Sequence, residues 1–326
     1  MKRINNILCV VDENSSSDVA LIQTLRIAEE TQADITVASV LNVTGFARAF
    51  GLNKDESDAK FAAMIVERRE AVESWLKQNA PGKKIKVDIF CGIEFLEIVK
   101  SVVKNNYDLV VKCANDVDWL DRLFGSDDMQ LLRKCPCPVL MLKPGQTGIF
   151  RNILATVDVN DAFDELDINR VQEKLNEKVL DYAAIFSISE LADLHVGSVW
   201  DAYGEDYLRM GTFSDMPEEK VNSYVDRARR DCANKLELLV SNMTKLLGKD
   251  AVEYLGPKVH MTKGLPEKEI PLMAITHNAD LVVMGTVART GIPGFIIGNT
   301  AESILEQVHC SILAIKPDGF QTTVLN

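Results

Sequence analysis

The sequence has no apolar run long enough to cross a membrane and no block of basic residues. Its opening, "MKRINNILCVVDENSSS", contains an apolar run of only Ile7 to Val11, shorter than the roughly 7–15 residues of a signal-peptide core. Nothing approaches the roughly 18–20 apolar residues of a membrane span. The formal net charge is -12, which repels a phosphate backbone. We therefore expect a cytoplasmic protein that contacts neither membrane nor nucleic acid directly.

Paired metal or redox motifs are also missing. The seven cysteines are scattered, and the one close pair, Cys135 and Cys137, lacks the two-residue spacer of a zinc or redox motif. We expect reduced, buried thiols. The histidines show no i,i+4 metal pair and no place beside a nucleophile, so the sequence predicts no metal site and structural roles for all four: His195, His260, His277 and His309.

What the chain does have is an internal repeat. Four segments recur in the same order, which indicates two copies of one domain. The pairs are "NNILCVVDEN" and "RNILATVDVN", "CGIEFLEIVKSV" and "KGLPEKEIPLMA", "YDLVVKC" and "ADLVVMG", and "CPVLMLKPG" and "CSILAIKPD". The segment "KPGQTGIFR" joins the copies, and we predict domains at 1–146 and 147–326.

Each copy alternates apolar strand-like runs with helical patterns, which is typical of a doubly wound α/β domain with a five-stranded parallel sheet. Strands are predicted near 6–11, 34–41, 85–90, 108–113, 138–142, 152–157, 192–199, 257–262, 280–285 and 311–315. Two helices have clear inward faces, formed by Ala20, Leu21, Leu25, Ile27 and Ala28 in one and by Phe61, Met64, Ile65, Val72 and Leu76 in the other.

Each copy would end on its fifth strand, and a bare edge strand invites aggregation. The short linker keeps the copies together. We therefore predict that Val139 to Leu142 pair with Ile312 to Ile315 in an intramolecular pseudo-dimer. A dimer of such tandem chains is a further expectation.

The stretch "MGTVARTGIPGFIIGNTAESIL" is a glycine-rich loop between a strand and a helix. Gly285 closes the strand and Gly298 precedes the helix, where Asn299 and Thr300 are placed to act as N-cap residues. A helix amino end favours an anion, and glycine lets the backbone approach it. The alternative is a plain turn, because the loop is neither a Walker loop nor a dinucleotide fingerprint.

The order "ILATVD", "DLVVMGTVARTG", "GNTAESIL" and "CSILAIKP" resembles the universal stress protein family, and the duplication is similar to that of its tandem E-type members. The resemblance implies two tandem Rossmann-like domains of the adenine nucleotide alpha hydrolase-like kind. It also implies a loop of the form Gly-x2-Gly-x9-Gly-Ser/Thr around ATP phosphates. Gly285 and Gly298 match this pattern, whereas Ala288 and Asn299 depart from it and Thr300 lies one residue late.

The resemblance further implies that the first-strand Asp and the end of the second strand hold the nucleoside. The implied ligand site comprises Thr156, Val157, Asp158, Val199, Met284, Gly285, Thr286, Val287, Ala288, Arg289, Gly298, Asn299 and Thr300. No cofactor is required by this interpretation. The expected small-molecule ligand is ATP or another phosphate-bearing compound, with Mg²⁺ only alongside a nucleotide.

The first copy departs further from the loop pattern. Cys113 and Asp116 stand at its glycine positions, and Gly125 and Ser126 correspond to Gly298 and Asn299. The middle of its loop carries three aspartates that oppose a triphosphate. We expect this copy to be a scaffold without a nucleotide.

The resemblance implies a non-catalytic, ligand-binding role in stress tolerance, including resistance to DNA damage, through protein partners. Two alternatives stay open at this point. One is a weak ATP hydrolase, for which Arg289 is the nearby cation worth testing; the other is a structural module with empty pockets. The segment "WDAYGEDYLRMGTFSDM" would either line the ligand cavity or form a surface crossover.

Overall fold

The computed structural model describes residues 4–12, 17–43, 53–114, 126–146, 148–160, 166–210, 215–247, 255–286 and 298–325, except the side chains of 166–169, 246 and 325. These residues form two compact units. The first unit contains the elements of the first copy together with the last strand of the chain, and the second unit contains the remaining elements of the second copy.

The first unit has six strands and four α-helices among its described residues. In chain order they are β1 (Asn6–Val10), α1 (Ser17–Thr31), β2 (Asp34–Leu41), α2 (Lys54–Asn79), β3 (Lys86–Cys91), α3 (Glu94–Asn105), β4 (Leu109–Cys113), α4 (Asp127–Lys134), β5 (Val139–Leu142) and β10 (Ser311–Ile315). The strand order is β3-β2-β1-β4-β5-β10. The first five strands are parallel, and β10 is antiparallel to β5.

The second unit has four parallel strands in the order β8-β7-β6-β9. Its described elements are β6 (Asn152–Thr156), α5 (Leu166–Glu190), β7 (Asp193–Trp200), α6 (Glu205–Met210), α7 (Glu218–Leu247), β8 (Lys258–Lys263), α8 (Pro266–Thr276), β9 (Leu281–Gly285) and α9 (Asn299–Leu305). In each unit the first strand in sequence lies between the second and the fourth: β1 lies between β2 and β4, and β6 lies between β7 and β9. Strand order therefore reverses beside the first strand, the place where open α/β sheets bind ligands.

All ten predicted strands are present, each within about one residue of its predicted position. Apolar runs in the inner strands are buried, as expected for parallel strands covered by helices; β4, β5 and β10 are buried at every position. The outer strands β3 and β8 are mostly half-buried or exposed. The predicted α/β fold with tandem, mostly parallel sheets is thus confirmed. The predicted fifth strand of the second copy, β10, instead belongs to the first unit and runs antiparallel to β5. The domain boundaries at 146 and 147 stay a prediction.

The helix faces are confirmed in part. In α1 the predicted residues are buried except Leu25, which is half-buried, and Gln23 and Thr24 are buried beside them. Thr24 satisfies its hydroxyl by donating to the Ala20 carbonyl at 2.7 Å, which is how a polar residue joins an apolar face. Of the predicted residues in α2, Val72 and Leu76 are buried, whereas those nearer its amino end are half-buried.

The predicted pairing between β5 and the segment Ile312 to Ile315 is confirmed. Ile312 is opposite Met141, Leu313 opposite Leu140, and Ala314 opposite Val139. The Lys143 amide donates to Ser311 Oγ at 3.0 Å, and Lys143 Nζ donates to the His309 carbonyl at 2.7 Å. The edge of β5 is therefore covered by a strand from the second half of the sequence, whereas the pseudo-dimer itself stays a prediction.

This pairing makes an outcome of linker cleavage predictable. We expect a chain cut at a protease site introduced within 146–148 to elute as one species at a concentration of about 1 µM. Fragments that stay together at this concentration have an association free energy of about 8.2 kcal/mol or more. The reason is that β10 on the second fragment completes the sheet of the first. Size-exclusion chromatography measures this, and Leu313→Pro, which removes a ladder hydrogen bond, should promote separation. Fragments that separate freely without that substitution would contradict the prediction.

Candidate ligand-binding site

A cavity of about 630 Å³ opens in the second unit at the carboxyl ends of β6, β7 and β9. This volume lies within the roughly 300–1,000 Å³ of small-molecule sites. The register pairs Thr156 with Met284 at the point where strand order reverses. The predicted residues that line this cavity are Thr156, Val157, Asp158, Val199, Met284, Gly285, Gly298, Asn299 and Thr300.

The remaining predicted residues stand apart from this lining. Thr286 is fully buried, and its carbonyl accepts a hydrogen bond from the Gly298 amide at 3.1 Å. Val287, Ala288 and Arg289 lie outside the described residues, as do Asp116 and Gly125 of the first copy.

The end of β6 is held by a buried asparagine of α5. Asn176 Nδ2 donates to the Asp158 carbonyl at 2.7 Å, and its Oδ1 accepts from the Asp158 amide at 3.1 Å. Gln172 donates to the same Oδ1 at 3.0 Å. The backbone of Asp158 is thus fixed by a side chain only 4% exposed, as a preorganised site requires.

Asn160 links the ends of β6 and β7. Its Nδ2 donates to the Val199 carbonyl at 2.8 Å and to Asp158 Oδ1 at 3.2 Å, while its amide donates to the same carboxylate oxygen at 3.2 Å. Cys232 Sγ lies 3.4 Å from Asn160 Oδ1. The two groups expected to hold a nucleoside therefore share one polar neighbour, which sequence reasoning missed although it is two residues from Asp158.

The glycines of the loop have separate local reasons. A Cβ on Gly285 would lie 2.7 Å from Leu175 Cδ2, so any larger residue at this position requires the Leu175 side chain of α5 to move. Gly298, with φ of -64°, is the N-cap of α9. The prediction that Asn299 and Thr300 act as N-cap residues is wrong: Asn299 is the first helical residue, because the chain enters the helix one residue earlier.

No side chain caps the amino end of α9 within the described residues. Gly298, Asn299, Thr300 and Ala301 all line the cavity. The first-turn N–H groups of a helix are unpaired unless something caps them, so this end offers donors to an anion in the cavity.

The wall formed by α7 carries charges that the sequence analysis did not assign to the site. Arg227, Asp231 and Lys235 follow one another at helical spacing and all line the cavity. Tyr224 lines it too and donates its hydroxyl to the Tyr203 carbonyl at 2.8 Å. Of the two interpretations of the segment after Trp200, the cavity lining applies to Tyr203, together with Asp201.

The equivalent place in the first unit is filled by an ion pair. Lys112 Nζ lies 2.7 Å from Asp128 Oδ1 and 3.6 Å from Glu94 Oε2, and its side chain is only 3% exposed. Burial alone would lower the pKa of Lys112, but Asp128 and Glu94 outweigh burial, so the pKa is raised and the ammonium stays charged. The cleft there, lined by Asp12, Glu94 and Lys112, has no room for a water-sized molecule.

Aligning the two copies identifies the residues of the second unit that correspond to these three charged residues. By the matched segments of the sequence, Lys112 corresponds to Met284, Asp128 to Ala301 and Glu94 to Pro266. These three counterparts all line the open cavity. One charged trio is therefore replaced by three uncharged side chains, and the cavity of the second unit is open where that of the first is closed.

Comparison with known proteins agrees with this architecture. The sequence model of the Universal stress protein family matches residues 3–143 and 172–316. The chain is 32% identical over 332 residues to Universal stress protein E of Salmonella typhi, which covers 99% of this chain and 98% of that protein. It is 30% identical over 324 residues to the Universal stress protein E homolog of Haemophilus influenzae, which covers 97% and 98%.

Solved structures support the fold. A functionally unknown protein from Pseudomonas aeruginosa PAO1 superposes with a TM-score of 0.66 at 24% identity, covering 97% of this chain and 94% of that one. A universal stress protein from Archaeoglobus fulgidus superposes with a TM-score of 0.59 at 18% identity, covering 97% of each chain. Since the family matches both halves and the E-type relatives share the tandem arrangement over nearly their whole length, the chain belongs to the Universal stress protein family.

Proposed function

We propose that this protein is a non-catalytic, cytoplasmic stress protein whose second unit binds ATP or another phosphate-bearing ligand. The observation that carries the proposal is the cavity of about 630 Å³ at the strand-order reversal of the second unit, the place where open α/β sheets bind ligands. Among the helices that the structure describes, none has the length and apolar character to span a bilayer.

The arrangement of groups favours one orientation of the ligand. Phosphate would lie toward Gly298 and the first turn of α9, with Arg227 and Lys235 on the α7 wall as cationic neighbours. Charge-assisted hydrogen bonds to phosphate are each worth roughly 1.5–3 kcal/mol. The nucleoside would lie toward Asp158 and Val199, where Asn160 must release the Val199 carbonyl or contact the ligand itself.

Binding is proposed for the second unit alone. A ligand in the first unit would have to separate Lys112 from Asp128 and Glu94, and breaking a buried ion pair costs several kcal/mol. The second unit presents Met284, Ala301 and Pro266 at those positions and requires no such displacement. The first unit is therefore proposed as a scaffold.

The role in stress tolerance, including resistance to DNA damage, is proposed from family membership. With a net charge of -12, the protein is poorly suited to bind the phosphate backbone of nucleic acid, so protein partners would carry the effect. No catalytic residue is proposed, and Mg²⁺ would enter only with a nucleotide. ATP turnover over hours would favour the weak hydrolase instead.

Gly298→Val tests the phosphate end of the cavity. Its φ of -64° is open to any residue, so the substitution adds bulk without backbone strain. We expect binding to weaken at least about tenfold, or about 1.4 kcal/mol, in calorimetry with ATP and with any compound released from the denatured protein. Unchanged affinity would contradict the proposed phosphate position. No binding by the wild type and no copurified compound would favour the structural module.

Introducing the ion pair of the first unit into the second unit tests whether the second unit alone binds the ligand. Met284→Lys with Ala301→Asp places in the second unit the pair that closes the first. We expect this double variant to lose measurable ATP binding while keeping its circular dichroism spectrum. The matched control, Lys112→Met with Asp128→Ala, changes the first unit alone and should leave affinity for ATP unchanged. A large loss in that control would mean that both units bind.

The ion pair also predicts that a single and a double variant of the first unit differ in stability. Lys112→Met alone leaves Asp128 and Glu94 without their buried cation, and we expect it to lower the free energy of unfolding by about 3–5 kcal/mol. The double variant Lys112→Met with Asp128→Ala should lose clearly less, since most of the uncompensated charge is gone. Urea unfolding followed by circular dichroism measures both. A double variant that loses as much stability as Lys112→Met alone, or more, would contradict this prediction.

A further inference from the structure

Three histidines that are far apart in sequence come together in the second unit. His195 lies in β7, His260 in β8, and His277 is the C-cap residue of α8. One ring nitrogen from each can be chosen so that all three lie within 4.8 Å of one another. The ring centroids are 5.1 Å, 4.6 Å and 3.9 Å apart, and the rings are roughly parallel.

Strand register and one glycine produce this arrangement. His195 is opposite Lys258, and Gly197 is opposite His260, so both histidines project from the same face of neighbouring strands. A Cβ on Gly197 would collide with Met273 Sδ, so glycine here lets α8 approach β7 closely. The His277 amide then donates to the Met273 carbonyl at 3.0 Å, which places His277 one turn further along α8.

The rings carry few hydrogen bonds of their own. Across the described part of the chain, their one hydrogen bond joins His195 Nδ1 and His260 Nε2 at 2.9 Å. Asp193 and Lys258 are the charged side chains whose fields act on His195, and they pair with each other at 2.8 Å. The imidazoles thus face mainly one another.

Burial, with the neighbouring histidines adding to it, lowers the pKa of His195 to about 4. Burial also lowers the pKa of His260. At neutral pH these two rings are uncharged, and a neutral imidazole has a free electron pair on one ring nitrogen. That is the form in which histidine binds a metal.

We propose that His195, His260 and His277 form a binding site for a divalent transition metal of the class that prefers imidazole, such as Zn²⁺. Three neutral imidazoles are an established protein ligand set for zinc, with a fourth position left for water. In a tetrahedral site, Zn–N distances of about 2.0–2.1 Å place the nitrogens about 3.3 Å apart. Nitrogens that lie within 4.8 Å of one another must therefore draw closer by up to about 1.5 Å for the ion to bind. His260 and His277 are half-buried, and β8 is the outer strand of the described sheet, so an ion can enter.

This site differs from the ligand cavity. None of its three histidines lines that cavity, and His195 lies near the amino end of β7, whereas the cavity lies at the carboxyl ends. A bound metal would join β7, β8 and the end of α8, which ties the outer strand to the sheet. The sequence analysis predicted no metal site because His195 and His260 are 65 residues apart, and no short motif spans that distance.

The test uses the full chain, stripped with a chelator and titrated with Zn²⁺ alone by calorimetry at pH 7.5. We expect one ion per chain with a Kd of about 1 µM or tighter. His260→Gln and His277→Gln should each weaken binding at least about tenfold. His309→Gln is the matched control, since this exposed histidine lies outside the cluster, and it should bind as the wild type does.

Co²⁺ absorption separates this site from the cysteines. We expect visible d–d bands without thiolate-to-metal charge transfer, because the ligands are nitrogen. Melting followed by circular dichroism shows whether each variant folds, and both substituted rings are half-buried. A thiolate band, absence of zinc binding by the wild type, or wild-type affinity in both folded cluster variants would each overturn the proposal. ATP affinity measured in parallel should be the same with and without Zn²⁺.

Discussion

The pairing of β6 with β7 on one side and β9 on the other is the constraint on which the second unit depends. Because all three strands are parallel, their carboxyl ends meet at one edge of the sheet, and the strand order reverses there beside β6. The crevice between them is a product of topology, and Asn176 and Asn160 then fix the backbone around it. Packing alone would leave these strand ends with unpaired polar groups.

The two units show how the same topology can yield a closed or an open crevice. In the first unit a lysine on β4 reaches two carboxylates from α3 and α4, and their mutual attraction offsets the cost of burying each charge. In the second unit the corresponding side chains, Met284, Ala301 and Pro266, carry no charge, so these three residues cannot form such an ion pair. The two crevices differ in charge at these three positions, without a change in strand order.

Strand positions and fold class could be read from the sequence because a parallel strand covered on both faces is a continuous apolar run. The cavity's position followed from the family resemblance and the strand ends. Asn160, Arg227 and Lys235 were not predictable, because a polar residue on a loop or exposed helix has the same pattern whether or not it borders a cavity. The three histidines were hidden for another reason: register and the close approach of α8 at Gly197 bring them together.

The place of β10 in the first unit has a consequence for biosynthesis. Strands β1 to β5 are synthesised long before residues 311–315. During that time β5 of the nascent first unit lacks β10, the neighbour that it has in the finished protein. Lys316, fully buried against the Leu132 carbonyl at 2.8 Å, likewise arrives last. Folding of the first unit therefore cannot finish cotranslationally ahead of the second, and a chain stopped before residue 311 exposes a strand edge open to aggregation.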